Sequence, residues 1–289
     1  MAFPARQAYR IPLSGGGILD LGSRCLVMGI LNLTPDSFAE ATPGLDPDAA
    51  VAAAERMAED GADLVDIGGE STRPGADPVS VEDELARILP VITRVAGRLR
   101  IPISVDTYKA DVARAAIEAG AAIVNDISGL RYDHGLAGAA ADCGAAIVLM
   151  HSRGRPKTMY AEAVYHNLIG EITAELGDSI RSATEAGVPV DRIMVDPGIG
   201  FAKQAAHSYG VLARLPELAA ALDRPVVVGP SRKSFMREAA GNRSPAGRDW
   251  ATAGAVAAAV LNGAHIVRVH AVAEMVQVVR VAEEIRRNG

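Results

Sequence analysis

The chain has 289 residues, 49% of them hydrophobic and 4% aromatic, which allows a large core packed mainly by aliphatic side chains and alanine. A net charge of -6 argues against a nucleic-acid polyanion as the main partner while leaving room for a local basic site. The N-terminus lacks the apolar stretch of a secretion signal and no uncharged apolar run spans a bilayer, so the expectation is a cytoplasmic protein without a membrane or nucleic-acid partner.

Residues 9–20 alternate Tyr9, Ile11 and Leu13 with Arg10 and Pro12, then turn at Ser14-Gly15-Gly16-Gly17. This period of two predicts a short hairpin with an edge strand, since Pro12 cannot donate to a ladder. The hairpin is expected to cover one end of the core. Cys25 and Cys143 both sit beside apolar stretches and read as buried free thiols, not as a disulfide framework.

From residue 25 short apolar runs alternate with helical stretches. The runs are 26–31, 64–67, 101–105, 122–127, 146–150, 193–195, 225–228 and 266–269. The helices expected between and after them are 48–60, 81–99, 109–119, 136–142, 166–186, 209–221, 249–262 and 273–287. Asp46-Pro47 offers an N-cap with proline at the first helical position, and Ser80 is a capping candidate with Asp83 three residues on. Gly61, Gly120 and Gly187 stand where helices would stop. Alternating strands and helices imply a parallel sheet. Eight units in this length fit a (β/α)8 TIM barrel with an N-terminal β-hairpin, in a single domain of hairpin 1–24 and barrel 25–289. An open doubly wound sheet is the rival, disfavoured because no glycine-rich dinucleotide fingerprint follows the first barrel strand.

A barrel of this kind places its active site at the C-terminal ends of the strands. Polar residues fall there throughout: Asn32, Thr34, Asp36 and Ser37; Asp66 and the segment 68–75; Asp106, Thr107 and Lys109; Asn125, Asp126 and Ser128; His151, Ser152 and Arg153; the segment 196–203; Ser231, Arg232, Lys233 and Ser234; Arg268 and His270. Asp106, Asn125 and Asp196 suit a flat heterocycle with a guanidine-like edge, because a carboxylate accepts two parallel N–H groups. Arg232, Lys233, Arg268 and His270, with Arg73, suit a phosphate or diphosphate nearer the rim. Asp66 and Asp126 read as structural partners of a nearby cation. His134, His166 and His265 read as solvated or packed, and Trp250 as a packing or rim residue. The chain has neither the His-Glu-x-x-His spacing of a zinc enzyme nor a Gly-x-Ser-x-Gly elbow.

The motifs resemble those of the dihydropteroate synthase family of pterin-binding enzymes. They are Met28-Gly-Ile-Leu-Asn-Leu-Thr-Pro-Asp-Ser-Phe38, Asp66-Ile-Gly-Gly-Glu-Ser-Thr-Arg-Pro-Gly75, Ser104-Val-Asp-Thr107, Val124-Asn-Asp-Ile127, Met150-His151, Asp196-Pro-Gly-Ile-Gly-Phe201, Ser231-Arg-Lys-Ser-Phe235 and Arg268-Val-His270. Each is short, but they run in family order through nearly the whole chain.

The resemblance implies a (β/α)8 barrel, usually a homodimer. It implies a Mg2+-dependent transferase that joins p-aminobenzoate to 6-hydroxymethyl-7,8-dihydropterin diphosphate in folate biosynthesis, by a dissociative substitution and with sulfonamides as inhibitors. By resemblance Asp106, Asn125, Met150, Asp196, Lys233 and Arg268 bind the pterin. Asn32, Thr72, Arg73, Arg268 and His270 take the diphosphate, with Asn32 on the metal. Phe38, Thr72, Pro74, Phe201, Ser231 and Lys233 form the p-aminobenzoate pocket. The catalytic set is Asn32, Arg73, Asp106, Lys233, Arg268 and His270. The chain departs from the family at Ala39-Glu40-Ala41-Thr42, where Ser-Asp-Gly-Gly is usual, at Ala202 and His207-Ser208, and at Ala271. Glu40 is expected to replace the usual aspartate in steadying the cation or the amine. The rival functions are a non-catalytic pterin-binding paralogue and a methyltetrahydrofolate-dependent methyltransferase domain.

Overall fold

The computed structural model describes residues 3–34, 46–73 and 75–289. Strands β1 (Tyr9–Pro12) and β2 (Ile18–Leu21) form the expected antiparallel hairpin, with Tyr9 opposite Leu21. Eight parallel strands follow: β3 (Leu26–Asn32), β4 (Leu64–Gly68), β5 (Ile103–Asp106), β6 (Ile123–Asp126), β7 (Ala146–Met150), β8 (Ile193–Asp196), β9 (Val227–Val228) and β10 (Ile266–Val269). Their order is β8-β7-β6-β5-β4-β3-β10-β9, and a parallel bridge from Val195 to Val226 brings the two ends together. That closure makes the sheet a barrel and removes the open-sheet alternative.

The α-helices of the described residues are α1 (Pro47–Glu59), α2 (Val81–Ala96), α3 (Ala110–Glu118), α4 (Leu136–Asp142), α5 (Leu168–Glu185), α6 (Ala205–Ala213), α7 (Leu215–Leu222), α8 (Asp249–Leu261) and α9 (Val272–Asn288). Two start as the sequence predicts. Asp46 accepts the Asp48 N–H at 2.9 Å before α1, and Ser80 accepts that of Asp83 at 3.0 Å before α2. One expected helix, 209–221, is instead the end of α6 and most of α7, with the break at Arg214 (φ -109°, ψ 20°). Pro216 cannot donate to a preceding turn, so the chain restarts a helix with the proline in its first turn. The strand expected over 101–105 begins only at Ile103, because Pro102 offers a carbonyl (to Val65 N, 3.2 Å) and no N–H.

Successive side chains on a strand face opposite ways, and this divides the core into two layers. Outward residues such as Val65, Ile67, Val105, Val124 and Leu149 pack under the helices. Inward residues Met28, Leu64, Ile123, Val148, Met194 and Ile266 form a separate cluster with Ile11, Leu13, Leu19 and Leu21 of the hairpin. The hairpin thus plugs the N-terminal end of the barrel with its buried face. His265 anchors the segment leading into it: Nδ1 accepts from Val226 N at 3.1 Å, and Nε2 donates to the Gln7 carbonyl at 3.0 Å. Burial pushes this histidine down to about 4, which suits that neutral tautomer.

Cys25 and Cys143 are both free. Cys25 is buried as expected, whereas Cys143 is only half-buried because it caps the short α4. Among the described residues no helix is long and apolar enough to cross a membrane.

Candidate active site

The step of two that builds the inner apolar layer also builds the site above it. Asp66 follows Leu64, Asn125 follows Ile123, Met150 follows Val148, Asp196 follows Met194 and Arg268 follows Ile266, each on the same inward face. Asp106 joins them through its register with Asn125 and Gly68. Asp66, Asp106, Asn125 and Asp196 are all buried.

Arg268 ties this ring together. Its Nε donates to Asp66 Oδ2 at 2.5 Å and its Nη2 to Asp106 Oδ2 at 2.6 Å. Asn125 Nδ2 donates to the same Asp66 oxygen at 3.0 Å. Asp66 is therefore a member of the site through Arg268 and Asn125. Asp126, its expected counterpart, forms no ion pair among the described residues. It points outward and accepts the backbone N–H groups of Ser128 and Leu130 at 2.7 and 2.6 Å, holding the turn after β6. Inward and outward parity separates the two aspartates, and it is readable from the sequence.

Burial pushes Asp106 up to about 7 against the pull of Arg268, with Asp66 adding to the rise. It raises Asp196 too, against Lys233 and Lys203. Burial pulls Lys233 down to about 8, opposed by Asp196. Lys233 Nζ donates to the Ile199 carbonyl at 2.6 Å and lies 4.4 Å from the Phe201 ring centre, so two residues expected in one pocket do meet.

At the rim, Ser231 Oγ is 2.9 Å from His270 Nδ1 and also accepts the His270 backbone N–H at 3.2 Å. Burial, with Arg232 and Arg268, pushes His270 down to about 3, so it meets solvent-side ligands as a neutral imidazole. Arg73, exposed in the loop after β4, adds to the positive field on His270. Thr72 beside it is half-buried. That loop is held from behind: Glu70 accepts from Lys109 Nζ at 2.6 Å, Tyr108 OH at 2.9 Å and Val79 N at 3.1 Å. Lys109 also pairs with the buried Glu84, which removes it from the mouth.

Two cations expected near the phosphate corner or strand end are engaged elsewhere. Arg232 takes a left-handed backbone (φ 59°) and forks onto both oxygens of Asp249 at the start of α8, each at 2.8 Å. Arg153 pairs with Glu171 and Glu175 on α5. Of the remaining histidines, His134 and His166 are exposed, and Trp250 is 91% exposed.

Asn32 ends β3 half-buried, with no side-chain hydrogen bond among the described residues. Its amide oxygen is a hard donor of the kind Mg2+ takes alongside substrate phosphates. Among the described residues no group of three His, Cys, Asp or Glu forms a self-sufficient metal site. A single hard oxygen donor is what a metal held mainly by substrate phosphates would need from the protein. Phe38 and Pro74 of the expected p-aminobenzoate pocket, and the segment 39–42 with Glu40, lie outside the described residues.

The model of the pterin binding enzymes matches residues 28–270, which holds every inward polar residue described above. A dihydropteroate synthase of Synechocystis sp. is 44% identical over 273 residues, 94% of each chain. The chain belongs to the dihydropteroate synthase family. Two solved members of that family superpose closely. The Xanthomonas albilineans dihydropteroate synthase with 4-aminobenzoic acid has a TM-score of 0.89 at 41% identity, covering 97% of this chain and 99% of that one. The Yersinia pestis enzyme with a sulfonamide drug has a TM-score of 0.90 at 41% identity, covering 96% and 99%.

Proposed function

We propose that this chain condenses 6-hydroxymethyl-7,8-dihydropterin diphosphate with p-aminobenzoate, giving 7,8-dihydropteroate and pyrophosphate in the cytoplasm. The observation that carries the reading is the inward ring of Asp66, Asp106, Asn125, Asp196 and Arg268 at the barrel mouth, in a member of this family.

Asp196, Asn125 and Asp106 take the N–H edge of the pterin, with Lys233 beside them and Met150 against the ring. Arg268 gives up its bond to Asp106 as the pterin enters and covers the ring, while Asp66 keeps its Nε. The C–O bond to the diphosphate then breaks with its electron pair on oxygen. Positive charge left on the dihydropterin faces buried carboxylates. Arg73, Arg268 and Thr72 receive the departing diphosphate, and His270 meets it as a neutral hydrogen-bond donor. Asn32 would hold Mg2+, which when bound supplies further positive charge to the diphosphate oxygens. The aromatic amine, seated by Phe201, Thr72, Ser231 and Lys233, bonds to the exposed carbon and releases a proton to water. Holding the two substrates in line supplies the rest of the rate, and no covalent intermediate with the protein is needed.

Sulfonamides compete for the p-aminobenzoate seat in this reading, as the complex of the Yersinia pestis relative suggests. The protein acts as a homodimer, joined through the apolar strip that α8 and α9 leave in solvent. The test of function is pyrophosphate release from the pterin diphosphate with and without p-aminobenzoate. Release that depends on p-aminobenzoate is the expected result. Tight pterin binding with no turnover would point to a non-catalytic paralogue, and methyl transfer from methyltetrahydrofolate to a corrinoid would point to the methyltransferase.

A further inference from the structure

Lys203 is 1% exposed, an unusual position for an ammonium group. It lies on the far side of the turn 198–201 from Lys233. The two lysines grip that turn between them: Lys233 Nζ donates to the Ile199 carbonyl at 2.6 Å, and Lys203 Nζ to the Phe201 carbonyl at 3.2 Å. Lys203 Nζ is also 2.8 Å from His151 Nδ1, and Nε2 of that buried histidine lies 3.2 Å from Glu175.

The backbone is shaped for this inward path. Ala202 adopts φ 45°, a left-handed conformation that non-glycine residues avoid, and its carbonyl is held by Tyr165 OH at 2.9 Å. Gly198 sits so close that a Cβ would lie 1.9 Å from the His151 carbonyl oxygen and 3.4 Å from Lys203 Nζ. Its N–H donates to Asp196 Oδ1 at 2.7 Å. Lys203 therefore stands behind the same short turn that holds Asp196.

Charge balance gives this position a meaning. Burial pulls Lys203 well below the ordinary lysine range, and the facing Asp196 carboxylate is the first of the charges that draw it back up, so each of the two groups favours the other's charged form. Asp196 faces Lys233, Lys203 and Arg268, and Lys203 in turn faces Asp196, Lys233, Glu175, Arg153 and His151. A pterin ring brings no charge of its own, so the balance must be met by the protein. Without Lys203, Asp196 would face only Lys233 and Arg268, in a place where a poorly compensated charge is costly.

We propose that Lys203 is a positioning residue for pterin recognition, supporting the Asp196 carboxylate and the turn 198–201 from the side away from the mouth. The inference rests on the functional reading above, in which Asp196 takes the pterin edge. Lys203 touches neither substrate. It acts by keeping Asp196 ionised, and so able to accept two N–H groups, and by fixing the turn that carries Phe201.

The test compares wild type with Lys203→Met and Lys203→Gln, titrating 6-hydroxymethyl-7,8-dihydropterin diphosphate by calorimetry across the neutral pH range. An ionised Asp196 binds, so affinity falls as pH drops through its pKa, and removing a nearby cation raises that pKa. Lys203→Met is expected to bind about tenfold more weakly on the acid side, with the fall displaced upward by about one pH unit. Lys203→Gln keeps an N–H for the Phe201 carbonyl but no charge, and is expected to show the same upward displacement. The KM for p-aminobenzoate is expected to rise in Lys203→Met, where the Phe201 carbonyl loses its donor, and to stay near wild type in Lys203→Gln. Wild-type affinity and pH profile in Lys203→Met, or their full recovery in Lys203→Gln, would overturn the proposal. Should Lys203→Met fail to fold, the profile of Lys203→Gln decides alone. No pterin binding by the wild type would instead remove the functional reading, and the inference with it.

Discussion

Arg268 shows how one residue sets the chemistry of the mouth. Its guanidinium bridges two buried carboxylates from strands on the far side of β3, and each bond is charge-assisted. Asp66 is fully buried, and its Oδ1 has no hydrogen-bond partner among the described residues, so its charge rests on Arg268 and Asn125 alone. Asp66→Asn keeps the shape and removes the charge. Urea unfolding is expected to show a loss of roughly 3 kcal/mol, because the buried pair is broken from one side. The KM for the pterin diphosphate is expected to rise as well, since Arg268 then leans on Asp106 and competes harder with the incoming ring. Unchanged stability and KM would mean that Asp66 is a spectator. At this scale the strand-end carboxylates, the amide and the rim cations were readable in the sequence, because polar residues at the ends of apolar runs need partners. The membership of Asp66 is signalled by its parity with Leu64, and its role as partner of a nearby cation is met by Arg268. The diversion of Arg232 to Asp249 and of Arg153 to α5 could not be read, since both partners are remote in the chain and charge alone does not say which way a long side chain turns.

At the scale of elements, the hairpin and the barrel strands divide one job. Period two places apolar residues at the lower inward positions of β3 to β10 and polar residues at the upper ones, leaving the bottom of the barrel open to water unless something covers it. The hairpin does so with Ile11, Leu13, Leu19 and Leu21, all buried against Met28, Leu64 and Met194. Ile11 is 1% exposed, so Ile11→Ala leaves a cavity beneath the site without touching the mouth. A loss of about 2–5 kcal/mol in unfolding free energy is expected, with kcat and both KM values retained. A large fall in kcat at full stability would show instead that the hairpin is coupled to catalysis. The eight-unit pattern was legible because each strand is covered on both faces and each helix has a start signal or a glycine stop. The single helix expected over 209–221 failed because apolar periodicity runs through Arg214 without a gap, while the break comes from the missing N–H of Pro216.

For the molecule as a whole, α8 and α9 pack against each other and leave an apolar strip facing outward. Trp250 on α8 and Val281 and Ile285 on α9 are 91%, 61% and 49% exposed, and Ala257, Leu261 and Val278 line the groove between the two helices. The other exposed large apolar side chains among the described residues, Ile18, Tyr160, Val164, Val190 and Tyr209, are spread over several elements, whereas these three fall on one helix pair. The strip lies on the outer wall, whereas the site opens at the strand ends, so two copies joined there would each keep a free mouth. A second copy of the chain is the proposed occupant, following the homodimer that the family resemblance implies. Val281→Asp combined with Ile285→Asp places two like charges per chain in that contact, and facing copies would repel. Sedimentation equilibrium is expected to give a dimer for wild type and a monomer for the double variant, with thermal unfolding showing that the monomer is still folded. Pyrophosphate release per chain is expected to persist in that monomer, because no inward polar residue of the mouth lies on α8 or α9. A dimer of undiminished affinity in the double variant would place the contact on another face, and a wild-type monomer would remove it altogether.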